Sequence, residues 1–395
     1  MRRFVAIAAV ALALWPIGPA WARIRLNTLP VRERVEIQLD HASATLVEEE
    51  RIVPLVAGVN EVDFAWTNTS IDPGAILFRV LPESTTQLGK IAVIAVSYPP
   101  NEPALAWAVS AEKPGPARVR ISYLLGNLNK SFNYRAVASA NESTLTLSEY
   151  LRVQNLANEE FGSSGVWAGF GKRFLKPIGV NETKEMLAER FERVPIRKTY
   201  TCNPAEFDYL DRAQNKLRVP MHYVLRNRAS DQLGQAALPF GKVRIFQDDG
   251  HGATAFLGED WGKFTPIDDE MRLFVGVAQD IVVRRTIEKN ERRPVSGNLY
   301  HQDVVLKYEI ENFKTQPVTL DVAENLRLVR NEARGDSGRD VEWELGSETT
   351  FAGGPDAERS TQEQLVFHAP LPPADAANKA QKVVHKLHVI LKNEW

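Results

Sequence analysis

Beyond its first two dozen residues, the chain alternates apolar and polar positions with a period of two. In Tyr300 to Asn312, Val304, Leu306, Tyr308 and Ile310 fall on one face, and Asp303, Lys307, Glu309 and Glu311 on the other. Successive side chains of a strand point to opposite faces, so this is the pattern of a half-buried antiparallel strand. Gln316 to Ala323 repeats it, with Val318, Leu320 and Val322 inward. Val119, Ile121, Tyr123 and Leu125 alternate with Arg118, Arg120 and Ser122, while His385, Leu387, Val389 and Leu391 oppose Lys386, His388 and Lys392. Further strands are expected over 35–39, 44–53, 59–66, 76–81, 91–98, 145–153, 216–225, 243–247 and 273–284. Asp72-Pro73-Gly74, Pro114-Gly115-Pro116 and Asp249-Gly250 are among the turn signals between them. Many short strands at such spacing indicate sandwiches or barrels. The expected fold class is all-β: two or three antiparallel β-sandwich modules in tandem, with little helix apart from a signal peptide.

Two segments break the pattern. Over Asn181 to Val194, Met186, Leu187, Phe191 and Val194 recur near helical spacing behind a capping Asn181, although the surroundings argue for a strand ending at Pro195. Asn203-Pro204-Ala205-Glu206 has a cap, a proline in the first turn and a glutamate placed to close a capping box. Prolines are dense in Pro99-Pro100-Asn101-Glu102-Pro103 and Lys113-Pro114-Gly115-Pro116, which places a domain boundary there. The expected division is a module over 23–110 and a larger β domain over 117–395, divided again near Val194. Asn331 to Arg339 and Ala352 to Ser360 read as exposed excursions, and no internal repeat is present.

Composition and charge narrow the class. The 395 residues carry 48 Lys+Arg against 50 Asp+Glu, and this near-balance gives no electrostatic case for nucleic acid. Residues 1–22 read as a signal peptide: Arg2 and Arg3, an apolar run from Phe4 to Leu14, then Ala20-Trp21-Ala22. That run spans about 17 Å as a helix, roughly half of a hydrocarbon core, so no transmembrane span is expected after cleavage. The expected location is the periplasm or cell surface. Cys202 is the only cysteine, which leaves no intrachain disulfide and suits a buried thiol.

Catalytic signatures are mostly absent. Phe161-Gly162-Ser163-Ser164-Gly165 has the composition of a nucleophile elbow without its spacing, and no zinc-binding histidine pair or phosphate loop occurs. Of the seven histidines only His385 and His388 lie close together, and three positions apart on a strand they face opposite ways. No metal and no cofactor are expected. The densest polar cluster, Asp248, Asp249 and His251 followed by Glu259, Asp260 and Trp261, brackets a hairpin turn. These residues are the binding candidates if the groups converge at one rim. Charged residues also gather at a turn simply because water is there. Trp66, Trp107, Trp167 and Trp343 sit among apolar strand positions and read as core.

The run Leu225-Arg226-Asn227-Arg228, Gln232-Leu233-Gly234 and Leu238-Pro239-Phe240-Gly241-Lys242-Val243-Arg244-Ile245-Phe246 resembles the exported bacterial domain of unknown function 4139. That domain ends the mucoidy-inhibitor-like proteins. Phe256-Leu257-Gly258-Glu259-Asp260, Gly276-Val277-Ala278-Gln279-Asp280 and Tyr308-Glu309-Ile310-Glu311-Asn312 extend the resemblance. It implies β-sandwich modules, export and a role at the cell envelope or its polysaccharide. It transfers no catalytic residue, and it favours a strand over Lys184 to Arg190. The expected function is a non-catalytic envelope protein that binds a protein or polysaccharide partner through loops and strand edges. The alternative is a hydrolase of envelope polysaccharide or peptide, using the carboxylates and histidine near 248–260.

Overall fold

The computed structural model describes residues 26–41, 44–169, 173–207, 216–335, 340–377 and 379–395, so the expected signal peptide lies outside the described residues. The protein is all-β. Its first strands are β1 (Leu26–Thr28), β2 (Arg34–Gln38), β3 (Thr45–Leu55), β4 (Gly58–Ala65), β5 (Leu77–Val80), β6 (Ile91–Ser97), β7 (Ala104–Ala111) and β8 (Gly115–Leu125). There follow β9 (Leu128–Ala138), β10 (Thr144–Asn155), β11 (Phe161–Trp167), β12 (Arg173–Ile178), β13 (Thr183–Pro195), β14 (Arg197–Cys202), β15 (Lys216–Leu217) and β16 (Pro220–Arg226). The remainder are β17 (Gly241–Asp248), β18 (Thr254–Gly262), β19 (Glu270–Val277), β20 (Ile281–Ser296), β21 (Leu299–Asn312), β22 (Val318–Asn325), β23 (Trp343–Leu345), β24 (Gln364–Leu371) and β25 (Lys382–Glu394). Among the described residues no helix is long and apolar enough to cross a membrane.

The chain forms two compact units. One comprises the residues up to Lys130 together with Val153–Lys184, the other Ser131–Arg152 with Glu185–Trp395. The chain therefore changes units at 130, 152 and 184, whereas the proline-dense 99–116 stretch lies wholly inside the first unit. Its prolines mark the ends of β7, where the chain leaves the sheet β1-β4-β7-β6 to enter the sheet β12-β11-β2-β3-β8-β5 as β8. Phe64 and Trp107 of the first sheet pack on Tyr123 and Phe78 of the second, with ring centroids 5.8 and 4.8 Å apart. In the second unit β19-β16-β14-β22-β24 and β15-β20-β21-β25-β23 clasp a core containing Val304, Leu306, Tyr308, Leu320, Val322, Phe367 and Leu387. Cys202 is fully buried there, and burial raises its thiol pKa far above the ordinary value. A third sheet, β13-β10-β9-β17-β18, completes the set.

Of the two readings of 181–194 the structure shows the strand: residues 183–195 form β13, beside β10 at a sheet edge. Met186 is buried and Leu187 exposed, the opposite-face disposition that a strand imposes. Residues 331–334, expected as a loop, belong to helix Leu326–Arg334, whose cap Asn325 accepts the N–H of Leu328 at 3.0 Å. Residues 336–339 of that stretch lie outside the described residues. Asn203 does cap the short helix Pro204–Phe207, and its amide also reaches Glu206 at 3.1 Å. Of the four tryptophans read as core, only Trp107 is buried. Trp167 and Trp343 stay partly exposed and spend their indole N–H on Glu36 and on the Gln362 carbonyl, each at 2.7 Å.

Glu36 is the centre of a polar ladder on the first unit. Burial alone would raise its pKa, but donors from Arg173, Trp167 and Arg34 outweigh this and bring it from 4.5 to about 2. A carboxyl held below its unfolded value stabilises above that value and loses the contribution as pH falls through its folded one. The stability supplied by Glu36 is therefore complete above about pH 4.5 and is lost toward pH 2. Urea unfolding between pH 6 and pH 3 should show a shallower acid loss for Glu36→Gln than for the wild type; equal slopes would remove Glu36 from the acid response.

Candidate functional site

The cluster at 248–261 lies on the antiparallel hairpin of β17 and β18 in the second unit. Asp248, Asp249 and His251 surround the turn. Asp248 accepts the N–H of Gly250 at 2.8 Å, and Asp249 accepts those of His251 and Ala253 at 2.8 and 3.0 Å. These carboxylates satisfy turn backbone, as expected for Asp at such positions. Glu259 and Asp260 stand far along the strand: Asp248 pairs with Thr254 and Arg244 with Glu259, a separation of about 13 Å at strand rise. Asp260 turns inward, accepting the N–H of Trp261 at 2.8 Å and of Phe274 on β19 at 2.6 Å. The six candidates thus divide into a turn group and a mid-strand group. Among the described residues no cluster of three or more His, Cys, Asp or Glu side chains is placed to hold a metal ion.

What the hairpin does assemble is an aromatic face. Pairing aligns Lys242 with Trp261, Arg244 with Glu259 and Phe246 with Phe256 on one side of the ribbon. Val243 and Ile245 on the other side are fully buried, so the first set faces solvent. Trp261 is 53% exposed and stacks on Phe240, 57% exposed, with centroids 5.2 Å apart and planes 3° from parallel. The Lys242 ammonium lies 5.3 Å from the Trp261 ring centre and donates to Glu259 at 2.7 Å. That ion pair holds the Glu259 carboxyl below its ordinary pKa, so it is an anion and not a proton donor at neutral pH. Further along, Phe246 meets the edge of Phe256 at 5.4 Å, and Arg135 of β9 lies over Phe246 at 4.9 Å. Rings in contact with each other and with cations lose little rotamer freedom when a ligand arrives.

The loops that present this face hang on one buried side chain. Asn227 follows β16 and is fully buried; its Nδ2 donates to the carbonyls of Ala236, Thr265 and Pro266 at 2.9, 3.1 and 3.0 Å. Its Oδ1 accepts the N–H of Gly234 at 2.8 Å. One carboxamide therefore ties the segment leading into Phe240 to the segment leaving Trp261. The Tyr134 hydroxyl adds a buried bond of 2.7 Å to the Pro239 carbonyl. Gly241 then brings β17 against β9 so closely that a Cβ there would sit 2.3 Å from the Phe132 carbonyl oxygen.

Of the expected residues, Glu259 and Trp261 belong to this face. Phe240, Lys242, Phe246, Phe256 and Arg135 join it although the sequence did not single them out. The available signal was Phe246, an aromatic on the polar phase of the alternation Lys242, Arg244, Phe246. Compared with known proteins, the chain matches no family model and no curated protein.

Removing the Asn227 carboxamide strands the Ala236 carbonyl and the Gly234 N–H and takes one of two donors from the Thr265 and Pro266 carbonyls. Asn227→Ala should lower stability by on the order of 3 kcal/mol, read as a reduced urea midpoint. It should also loosen Phe240 and Trp261, seen as faster side-chain NMR dynamics at those rings; a variant with wild-type midpoint and ring dynamics would contradict this anchoring role.

Proposed function

We propose that the protein is exported and binds a glycan of the bacterial cell envelope along the aromatic face of the β17–β18 hairpin. The single observation carrying this reading is the coplanar, half-exposed Phe240–Trp261 pair flanked by the Lys242–Glu259 ion pair. Aromatic faces carry negative charge density and attract the polarised C–H groups of a sugar ring, while the flanking charged groups hydrogen-bond its hydroxyls. Contiguous exposed aromatics rimmed by charge mark interaction surfaces and not random solvent exposure. The basic start and short apolar run of residues 1–22 support export, and the resemblance to domain of unknown function 4139 supports an envelope role. The hydrolase alternative draws no support from the hairpin, since its acids are spread along the ribbon and engaged with backbone or lysine.

A protein partner is the second reading, favoured by one observation. β6 is an edge strand, and Val93, Ile94 and Val96 are all exposed on it. Unpaired apolar edges accept an added strand from another chain.

Calorimetric titration of the mature protein with a panel of soluble neutral and acidic oligosaccharides tests the glycan reading. At least one should bind, and Trp261→Ala or Phe240→Ala should weaken it at least tenfold while leaving the melting temperature nearly unchanged. Binding indifferent to both substitutions, or absent throughout the panel, would remove the glycan reading and leave the edge-strand partner.

A further inference from the structure

The strand beside the hairpin carries an arginine that the aromatic face does not use. Arg272 projects from β19, and its Nη2 donates to the Thr201 hydroxyl at 3.0 Å and contacts His222 Nδ1 at 3.3 Å. Among the described residues no carboxylate lies within 4 Å of it, and its Nε and Nη1 have no hydrogen-bond acceptor. The nearby Arg359 is matched differently: it donates to Asp321 at 2.6 Å, and Asp321 is also bonded to His368 at 2.8 Å. A partly buried guanidinium with no carboxylate in contact bears a desolvation cost that the more distant Glu206 and Asp321 offset only in part.

The neighbouring groups share this character. Thr199, one register step from Thr201 on the same face of β14, is 7% exposed, and its buried hydroxyl has no hydrogen-bond partner. His222 pairs with Thr199 across the β14–β16 ladder. Burial and the Arg272 charge lower its pKa to about 4, against the weaker pull of Asp260. The imidazole is then neutral, and accepting from Arg272 at Nδ1 leaves Nε2–H to donate. Burial also lowers the Arg272 pKa, with the positive charge of Arg359 next in size and Glu206 and Asp321 acting in opposition. Phe274, 37% exposed, sets its ring 5.7 Å from His222 and forms an apolar wall.

We propose that Arg272, Thr199 and His222 form an oxyanion-binding site for a carboxylate, or for a phosphate or sulfate ester group, of an acidic ligand. The Nε–H and Nη1–H groups left over on the guanidinium supply single charge-assisted donors for such a group, and the Thr199 hydroxyl and imidazole N–H supply two more. The site goes beyond the aromatic face and does not depend on it. Asp260 links the two places, because its carboxylate accepts from β19 at Phe274 while its own backbone leads into Trp261.

The test titrates the mature protein with glucuronate, glucose 6-phosphate, glucose 6-sulfate and glucose, followed by NMR shifts of the Arg272 and Thr199 backbone amides. The three acidic sugars separate carboxylate from phosphate and sulfate recognition; binding by any one of them, with glucose inert, is the expected result. Arg272→Gln should weaken that binding at least tenfold and Thr199→Val several-fold, with Trp261→Ala leaving it unchanged. Thr199→Val exchanges only the hydroxyl for a methyl and retains shape, so it reports even if the arginine variant fails to fold. No acidic sugar bound, glucose bound equally, or affinity unaltered in Thr199→Val would overturn the site. A loss with Trp261→Ala instead would assign these anions to the aromatic face and overturn it equally.

Discussion

A buried carboxamide governs the functional end of the second unit. Loops rarely enter an interior, because each buried N–H and C=O must find a partner. Asn227 makes burial tolerable for two loops at once, since its amide donates to the Ala236, Thr265 and Pro266 carbonyls and its oxygen accepts the Gly234 N–H. The run Asn227 to Phe246 is consequently dense in residues with backbone duties: the carboxamide itself, Gly234 at φ +80°, and Gly241 at its close approach to β9. These explain a recognisable stretch of sequence by construction, without any catalytic demand.

That construction determines which side chains face water. β17 puts Val243 and Ile245 into the interior, so Lys242, Arg244 and Phe246 must stand outside. Pairing with β18 then adds Trp261, Glu259 and Phe256 to the same side. Phe240 precedes the strand and is positioned by the loop, which is how it comes to lie flat against Trp261. The result is apolar surface held rigid at the surface, an arrangement whose exposure costs free energy unless something covers it.

The carboxylates that first drew notice are mainly structural. Asp248 and Asp249 substitute for missing backbone acceptors at a turn, and Asp260 bridges two strands whose backbones do not pair directly. The unmatched group is a cation, Arg272, one strand away. An acid-rich local sequence and an arginine with no carboxylate in contact thus occur side by side, because each acid is already committed to a backbone N–H or a lysine.

The all-β class was legible from the sequence, because a period of two is a local property that survives in any arrangement of the strands. The same locality made Cys202 readable as buried, the 248–254 segment as a turn and Asn203 as a cap. Locality also misled. Prolines at 99–116 mark the ends of a strand as readily as a linker, and helical spacing over 186–194 is also satisfied by a strand with one exposed leucine. Only the tertiary structure decided that β9, β10 and β13 carry the chain between two units, that Trp167 reaches Glu36 more than a hundred residues away, and that Phe240 meets Trp261. Alternation says which face of a strand is apolar but not which strand lies beside it, and sites on a sheet are made from neighbours across strands.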